Sequence, residues 1–260
     1  MPIELFDAIP LPVLAIGTLV LVLVSIEAGF RLGRWRRERS GTEHDTTLGG
    51  VVGATLGLVA FLLAFTFGMA ASRFEDRRQI LLEEVNALDA AYMRADLIEE
   101  PYRSEAHGEL RDYVALRLAE AQSDEGLAND LKRPERLQDE LWKQVVAMNN
   151  AAPPTATKAL FVESINNVVE AQTKRTEMAR HPIPSTIWLA LYLITVVAMA
   201  KVGYQSGVSG PRRSAAMPTM ALTFTLVFVL IADLDRPLRG FLTVSQQAMI
   251  DLQNKMAANP

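Results

Sequence analysis

The chain has 260 residues, of which 50% are hydrophobic and 22% are charged, and its formal net charge is −4. With a mean hydropathy of +0.14 it is too apolar for an ordinary soluble domain of this length. It contains no cysteine, which excludes a disulfide framework and thiolate chemistry. The sequence also lacks a basic tract with interleaved aromatic residues, the pattern that would indicate nucleic-acid binding.

Four long uncharged windows decide the class of protein. They are Ala8–Ile26, Thr46–Ser72, Pro182–Ala200 and Ser214–Ala232. Because about 20 apolar helical residues cross the hydrocarbon core of a bilayer, each window is long enough to span it. The N-terminal stretch "MPIELFDAIP" has no Lys or Arg, so the first window is expected to remain as a membrane helix rather than be cleaved as a signal peptide.

Positive charges in the short loops predict the orientation. They are Arg31, Arg34, Arg36, Arg37 and Arg39 after the first helix and Lys201, Arg212 and Arg213 after the third. Such loops stay in the cytoplasm. We therefore expect an inner (plasma) membrane protein with cytoplasmic short loops and periplasmic termini and middle segment. The basic residues flanking the second and third helices would favour the opposite orientation if they were counted.

The second window carries small residues at intervals of four, an arrangement that lets membrane helices approach closely. These predicted helix-packing positions are Gly49, Gly53, Gly57, Ala60, Ala64 and Gly68. One interpretation is packing within the chain. The other is packing against copies of the same helix around an axis, where Gly57, Phe61 and Phe65 would form apolar rings that constrict a pore.

The middle segment, residues 73–181, is predicted to be an extramembrane bundle of four antiparallel helices. Apolar residues recur at helical spacing on four faces: Phe74, Leu81, Val85, Leu88, Tyr92 and Ala95; Leu110, Val114, Leu118 and Ala121; Leu137, Leu141, Val145 and Met148; and Phe161, Ile165 and Val168. The predicted fold is therefore all-α, with four transmembrane helices and this bundle between the second and third. The predicted boundaries are 1–72 for the first hairpin, 73–181, 182–236 for the second hairpin, and 237–260 for a C-terminal tail.

The fourth helix ends in "DLDRP", and its carboxylates there face the unfavourable end of the helix dipole. One interpretation is a charged corner formed by Asp233, Asp235, Arg236 and Pro237, which fixes how the chain leaves the membrane. The alternative is a membrane-surface latch, in which Asp233 pairs with Arg73, Arg77 or Arg78 at the end of the second helix.

No enzymatic site is predicted. The three histidines, His44, His107 and His181, are scattered, and none has the neighbours of a catalytic triad or a zinc site. No glycine-rich loop has the lysine and strand context that phosphate binding needs. We therefore expect no catalytic residue, no metal site and no cofactor.

Two stretches in combination carry a family resemblance: "GLVAFLLAFTFGMAASRFEDRRQILLEEVNALDAAYMRADL" and "IADLDRPLRGFLTVSQQAMIDLQ". Together with the four-helix layout, they resemble the bestrophin-like domain family of bacterial and plant membrane proteins, which is distantly similar to the bestrophin anion channels. Bestrophins are pentamers whose second helix lines the pore, so the resemblance implies that Gly57, Phe61 and Phe65 form the neck. No acidic calcium clasp of the bestrophin type is recognisable, and calcium gating is not implied.

The predicted function is an oligomeric ion channel in the lipid bilayer, most consistent with small anions and with a homo-oligomer. The alternative is a non-conducting membrane scaffold or sensor whose helical bundle binds a small molecule or a partner protein.

Overall fold

The computed structural model describes residues 9–40, 46–122, 132–151, 153, 155–180, 182–210, 216–236 and 240–258. Eight helices form within these ranges: α1 (Leu11–Ser40), α2 (Thr46–Ala95), α3 (Tyr102–Gln122), α4 (Lys132–Ala151), α5 (Ala156–Arg180), α6 (Ser185–Ser209), α7 (Ala216–Asp235) and α8 (Gln247–Ala258). The same ranges contain no strand, so the predicted all-α class is confirmed there.

Four of these helices, α1, α2, α6 and α7, are long and apolar enough to cross a membrane. Each of them contains most of one uncharged window, and the prediction of four candidate membrane helices is confirmed. Helix α2 is much longer than a bilayer requires, because it continues without interruption for 50 residues to Ala95.

The chain divides into two compact units. The first unit comprises residues 1–74, 182–236 and 240–242, and the second comprises residues 75–181, 237–239 and 243–260. Helix α2 contributes its apolar part to the first unit and its charged continuation to the second. Each unit has its own buried apolar core.

In the first unit, α1 and α6 approach each other through glycines. A methyl group added at Gly29 would lie 1.9 Å from the carbonyl oxygen of Ala200, and one added at Gly33 would lie 2.2 Å from that of Tyr204. No side chain fits at such distances, so the two backbones are in direct contact. Sequence numbers increase together along both helices at these contacts, which shows that α1 and α6 run parallel.

The contact is reciprocal. A methyl group at Gly203 would lie 1.9 Å from the Ile26 carbonyl oxygen, and one at Gly207 would lie 2.3 Å from the Phe30 carbonyl oxygen. Each helix therefore contributes two glycines at four-residue spacing, the arrangement that lets membrane helices pack without a hydrophobic driving force. These four glycines were not predicted as contact positions, although their spacing is visible in the sequence.

Aromatic side chains fill the adjoining core of the first unit. The ring centroids of Tyr192 on α6 and Phe228 on α7 are 4.6 Å apart, and Trp188 lies beside both. The Tyr192 hydroxyl forms a 2.7 Å hydrogen bond with the hydroxyl of Thr18 on α1. A half-buried phenol thus keeps a polar partner within an apolar helix bundle.

The core of the second unit consists largely of the apolar faces that the sequence predicts. Its buried members include Leu81, Leu88, Tyr92 and Ala95 from α2, Leu110, Val114 and Leu118 from α3, Leu141, Val145 and Met148 from α4, and Phe161, Ile165 and Val168 from α5. Val85 packs against this core, whereas Phe74 packs in the core of the first unit. Ala121 was predicted to lie on the same apolar face, and this was wrong: its side chain is exposed, one residue before the end of α3. The side chain of Leu137 lies outside the described residues.

Helix α8 was predicted only as a tail. Its residues Met249, Leu252 and Met256 are buried in the core of the second unit. The hydroxyl of Tyr92 on α2 donates to the Met256 carbonyl oxygen at 3.2 Å, and the Lys255 amine lies 2.6 Å from the Asp89 carboxylate. The C-terminal segment is therefore an integral part of this unit.

Candidate functional site

The membrane part of α2 has two contrasting faces. Its buried residues are Val52, Val59, Leu63, Thr66 and Ala70, which recur at heptad-like spacing and pack within the first unit. Thr66 donates its hydroxyl to the Leu62 carbonyl oxygen at 2.8 Å, so this face presents no unsatisfied polar group there.

The opposite face carries the helix-packing and pore positions that the sequence predicts in the membrane part of α2. Gly49, Gly53, Gly57, Ala60, Phe61, Ala64, Phe65 and Gly68 are all exposed. Phe61 is 67% exposed and Phe65 is 63% exposed, although both are large and apolar. We call these eight residues the uncovered face of α2.

Within the described part of the chain, most glycines of this face have no neighbouring helix against them. A methyl group added at Gly53, Gly57 or Gly68 would find no neighbouring atom within 4 Å, and one at Gly49 would meet only the Gln205 side chain, at 3.4 Å. The packing role predicted for these small residues therefore stays a prediction, and it concerns contacts with something other than the described chain.

The uncovered face also differs in composition from the other exposed membrane surfaces. Those surfaces carry large aliphatic residues: Val13, Ile16, Val20 and Val24 on α1, Leu189, Leu193 and Val197 on α6, and Leu222, Leu226 and Leu230 on α7. Lipid tails suit such side chains, whereas glycine and alanine are enriched where membrane helices touch one another. The composition of the α2 face is thus that of a helix–helix contact.

The end of α7 forms a second cluster of functional candidates. Asp233 is only 3% exposed, and its carboxylate accepts the backbone N–H groups of Phe241 at 2.8 Å and Leu242 at 3.0 Å. Gly240 makes this turn possible, because a methyl group there would lie 2.1 Å from an oxygen of Asp233. These N–H donors offset the unfavourable position of a carboxylate at a helix C-terminus.

The neighbouring charges connect α7 to two other segments. Asp235 accepts the backbone N–H of Ile183, with its two oxygens at 3.3 and 3.2 Å, and Arg236 donates to the Ile9 carbonyl oxygen. The charged end of α7 thereby contacts the residues that precede α6 and α1.

The latch remains untested by these contacts. Arg78 lies 3.2 Å from Glu75, its neighbour on α2, and Pro237 lies outside the described residues. The pairing of Asp233 with Arg73, Arg77 or Arg78 therefore stays a prediction.

A buried ionic cluster in the second unit was not predicted. The fully buried Glu84 carboxylate on α2 accepts from Arg117 at 2.9 and 3.2 Å and from the Tyr113 hydroxyl at 2.9 Å. Arg117 also pairs with Glu120, and Arg175 on α5 lies 3.7 Å from Glu84. No sequence motif relates these residues, because each lies on a different turn or helix among many other charged positions.

Opposing effects set the ionisation of this cluster. Burial acts to lower the pKa of Arg117, but the charge of Glu84 and its hydrogen bond outweigh burial and raise that pKa. Burial, followed by the nearby charge of Glu84, raises the pKa of the Tyr113 hydroxyl. Burial and the charge of Arg117 together lower the pKa of Arg175. The cluster is a set of compensated charges that connects α2, α3 and α5.

Glu109 on α3 is a separate titratable group in the second unit. Burial and then repulsion from Glu140, Glu105 and Asp112 raise its pKa to about 7. One of its oxygens accepts from the Gln144 side chain at 2.6 Å. Its ionisation thus changes near neutral pH.

His107 is the one histidine that the structure describes. His107 stacks on Tyr92 with ring centroids 4.3 Å apart, while His44 and His181 lie outside the described residues. Among the residues that are described, no group of three or more His, Cys, Asp or Glu could hold a metal ion.

These features define a helical membrane protein with four candidate spans, in which the uncovered face of α2 consists of small and aromatic residues. The model of the Bestrophin-like domain family matches residues 18–249, so the chain belongs to this family. No curated protein matches the chain.

Solved structures show the same fold. A bacterial bestrophin homologue from Klebsiella pneumoniae has a TM-score of 0.63 at 14% identity, with 94% of this chain and 96% of that chain covered. A variant of that homologue gives a TM-score of 0.65 at 14% identity, with coverage of 94% and 96%. A structure described as a membrane protein gives 0.65 at 15% identity, with 94% of this chain and 97% of that chain covered.

Proposed function

We propose that the protein is a homo-oligomeric ion channel in which α2 lines a central pore. The observation that carries the proposal is the uncovered face of α2, where Phe61 and Phe65 are largely exposed beside glycines that touch nothing in the described chain. A ring of copies would cover this face and leave its aromatic residues around the axis. Membership of the Bestrophin-like domain family supports the same arrangement.

The pore would be constricted by apolar rings. Phe61 and Phe65 are one helical turn apart, and Gly57 precedes them by another turn on the same face. No charged residue occurs between Thr46 and Ser72, so water in such a constriction would have few polar partners. Hydrophobic constrictions of this kind gate channels by dewetting. Small anions are the ions expected from the resemblance to bestrophins.

Ion flux in liposomes tests the proposal directly. Purified full-length protein should conduct chloride, and Phe61→Ala or Phe65→Ala should change that flux because each removes an aromatic ring from the constriction. Leu193→Ala is the matched control, since Leu193 is 63% exposed on α6 and belongs to the aliphatic surface. If no flux of several ions is detected, or if the three variants behave alike, the proposed pore is wrong.

We further propose that residues 73–181 lie outside the membrane on the periplasmic side. This proposal is supported by the buried ionic cluster and by the charge of the short loops. The absence of cysteine allows a clean test with single substitutions. In intact cells, a membrane-impermeant maleimide should label Glu163→Cys on α5 but not Glu38→Cys on α1. The reverse labelling would invert the orientation.

A non-conducting scaffold or sensor is the second candidate function. It is favoured by the separate core of the second unit, which could respond to a small molecule or a partner protein without a pore. A monomer in detergent that captures one specific partner, and that gives no ion flux, would support this function over the channel.

A further inference from the structure

Lys201 is the only charged residue of α6. Its amine donates to the Thr55 hydroxyl oxygen on α2 at 3.3 Å, while Thr55 itself donates to the Val51 carbonyl oxygen at 2.7 Å. Among the described residues, no carboxylate forms an ion pair with Lys201, and the nearest acidic residue along α1, Glu27, is paired with Arg31 at 2.8 Å. The amine thus has an uncompensated charge and N–H groups that Thr55 does not use.

The contacts between α1 and α6 place Lys201 at the end of the apolar region. Gly29 on α1 lies opposite Ala200, and Gly33 lies opposite Tyr204, so Lys201 is level with the turn of α1 where its arginines begin. Arg31 and Arg34 occur on that turn and the next. Basic residues at this position mark the interface between hydrocarbon and headgroups, where lipid phosphates are located.

Gln205 adds a second donor on the same side of α6. It follows Lys201 by one helical turn, and its amide nitrogen lies 3.4 Å from the position that a methyl group at Gly49 would occupy. Because glycine has no side chain there, the amide can lie directly against α2. An amine and an amide therefore project from α6 toward α2 at the level where the apolar region ends.

We propose that Lys201, positioned by Thr55 and assisted by Gln205, binds a phosphate group at the membrane boundary between α2 and α6. The phosphate belongs either to an anionic lipid headgroup or to free inorganic phosphate. Lysine is a compact cationic donor that binds phosphate as a point charge, and an unpaired ionisable residue in a membrane helix commonly marks a functional site. This site does not depend on whether the protein conducts ions.

Native mass spectrometry of the full-length protein in detergent tests this site. Phosphatidylglycerol should be retained in preference to phosphatidylcholine, and Lys201→Gln should lower that preference about five-fold, the effect typical of one basic residue near an anionic surface. Lys201→Arg should keep the preference because it preserves the charge. Lys143→Gln, at an exposed position on α4, is the control that removes the same charge elsewhere.

Competition with inorganic phosphate distinguishes the two sources. If millimolar phosphate displaces phosphatidylglycerol from the wild-type protein but not from Lys201→Gln, the site binds free phosphate as well as lipid. If phosphate has no effect while the lipid preference depends on Lys201, the ligand is the lipid headgroup. Equal lipid retention by the wild type, Lys201→Gln and Lys143→Gln would overturn the proposal, provided that Lys201→Gln elutes as the folded protein.

Discussion

Two sets of membrane glycines each include pairs four residues apart, but the two sets have opposite surroundings. Gly29, Gly33, Gly203 and Gly207 are buried where α1 and α6 meet, and any side chain at these positions would collide with a backbone carbonyl group. Gly53, Gly57 and Gly68 on α2 are exposed, and a methyl group there would meet nothing in the described chain. The first set holds the chain together, whereas the second is free for contacts that the single chain does not make.

This difference shows what a small-residue pattern can and cannot reveal. Four-residue spacing indicates a helix face that permits close approach, but it does not identify the partner. The α1 and α6 glycines find their partner within the chain, so their substitution should affect folding. The α2 glycines should affect assembly instead, if the proposed oligomer is correct.

The largest expected effect is that of Gly203→Leu. The new side chain would start 1.9 Å from the Ile26 carbonyl oxygen, so α1 and α6 would have to separate along their contact. Overpacking typically destabilises a core by about 1–3 kcal/mol and sometimes by more, and we expect the upper end here because the clash is with backbone. Thermal unfolding in detergent measures the loss, and Gly17→Leu is the control, because Gly17 is exposed on α1 and a methyl group there would meet no atom within 4 Å. Equal melting temperatures for the two variants would contradict the structure.

Gly57→Leu should leave the fold of the chain intact and disrupt its assembly. No atom lies within 4 Å of the added methyl group, so a single chain can accommodate the side chain, while close approach of neighbouring copies cannot. The mass of the protein–detergent complex should fall from that of an oligomer to that of a smaller species, with helical content unchanged. An unchanged oligomer would show that this face does not form the interface.

Gly240→Ala tests a third kind of glycine, one that approaches a side chain instead of a backbone. The added methyl group would lie 2.1 Å from Asp233, so we expect a destabilisation of about 1–3 kcal/mol. Asp233→Ala removes the opposing carboxylate, so the double variant should lose less stability than the sum of the single losses. Strictly additive losses in chemical denaturation would reject the contact.

The smallest expected effect is a pH dependence that arises from Glu109 in the second unit. The α1–α6 glycine contacts are made to backbone carbonyl groups, whereas burial and then repulsion from neighbouring carboxylates raise the pKa of Glu109 to about 7, well above the ordinary range of a glutamate. The folded state therefore binds more protons than the unfolded state in this window, and stability should fall as the pH rises from about 4.5 to about 7. Glu109→Gln should weaken this dependence, and Glu163→Gln at an exposed site should not. Melting curves across this pH range provide the measurement.

The membrane helices were predictable because uncharged length is sufficient to identify a span. The helix faces of the second unit were predictable for a similar reason, since Leu88, Val114 and Ile165 recur at the spacing of a buried stripe. Helix α8 was missed, although Met249, Leu252 and Met256 have the same spacing. A short amphipathic segment after a charged turn gives a weak signal without its partner surface.

The ionic cluster could not have been predicted from one sequence. Glu84, Arg117 and Arg175 are ordinary members of charged helices until tertiary packing brings them together and removes them from water. The same limit applies to the α2 face. The uncovered face is exposed because the other side of α2 packs in the first unit. Which side of α2 packs there depends on the surfaces of all four membrane helices together.

The parallel contact between α1 and α6 also has a consequence for synthesis. Helices α2 to α5 are all synthesised before α6. The groove that Gly29 and Gly33 form on α1 therefore has no α6 to pack against during most of translation. During that interval the groove is a site at which the nascent chain can pair with the wrong helix, including α1 of another chain. Until α6 is synthesised, Gly29 and Gly33 of α1 therefore lack the helix that they contact in the folded chain.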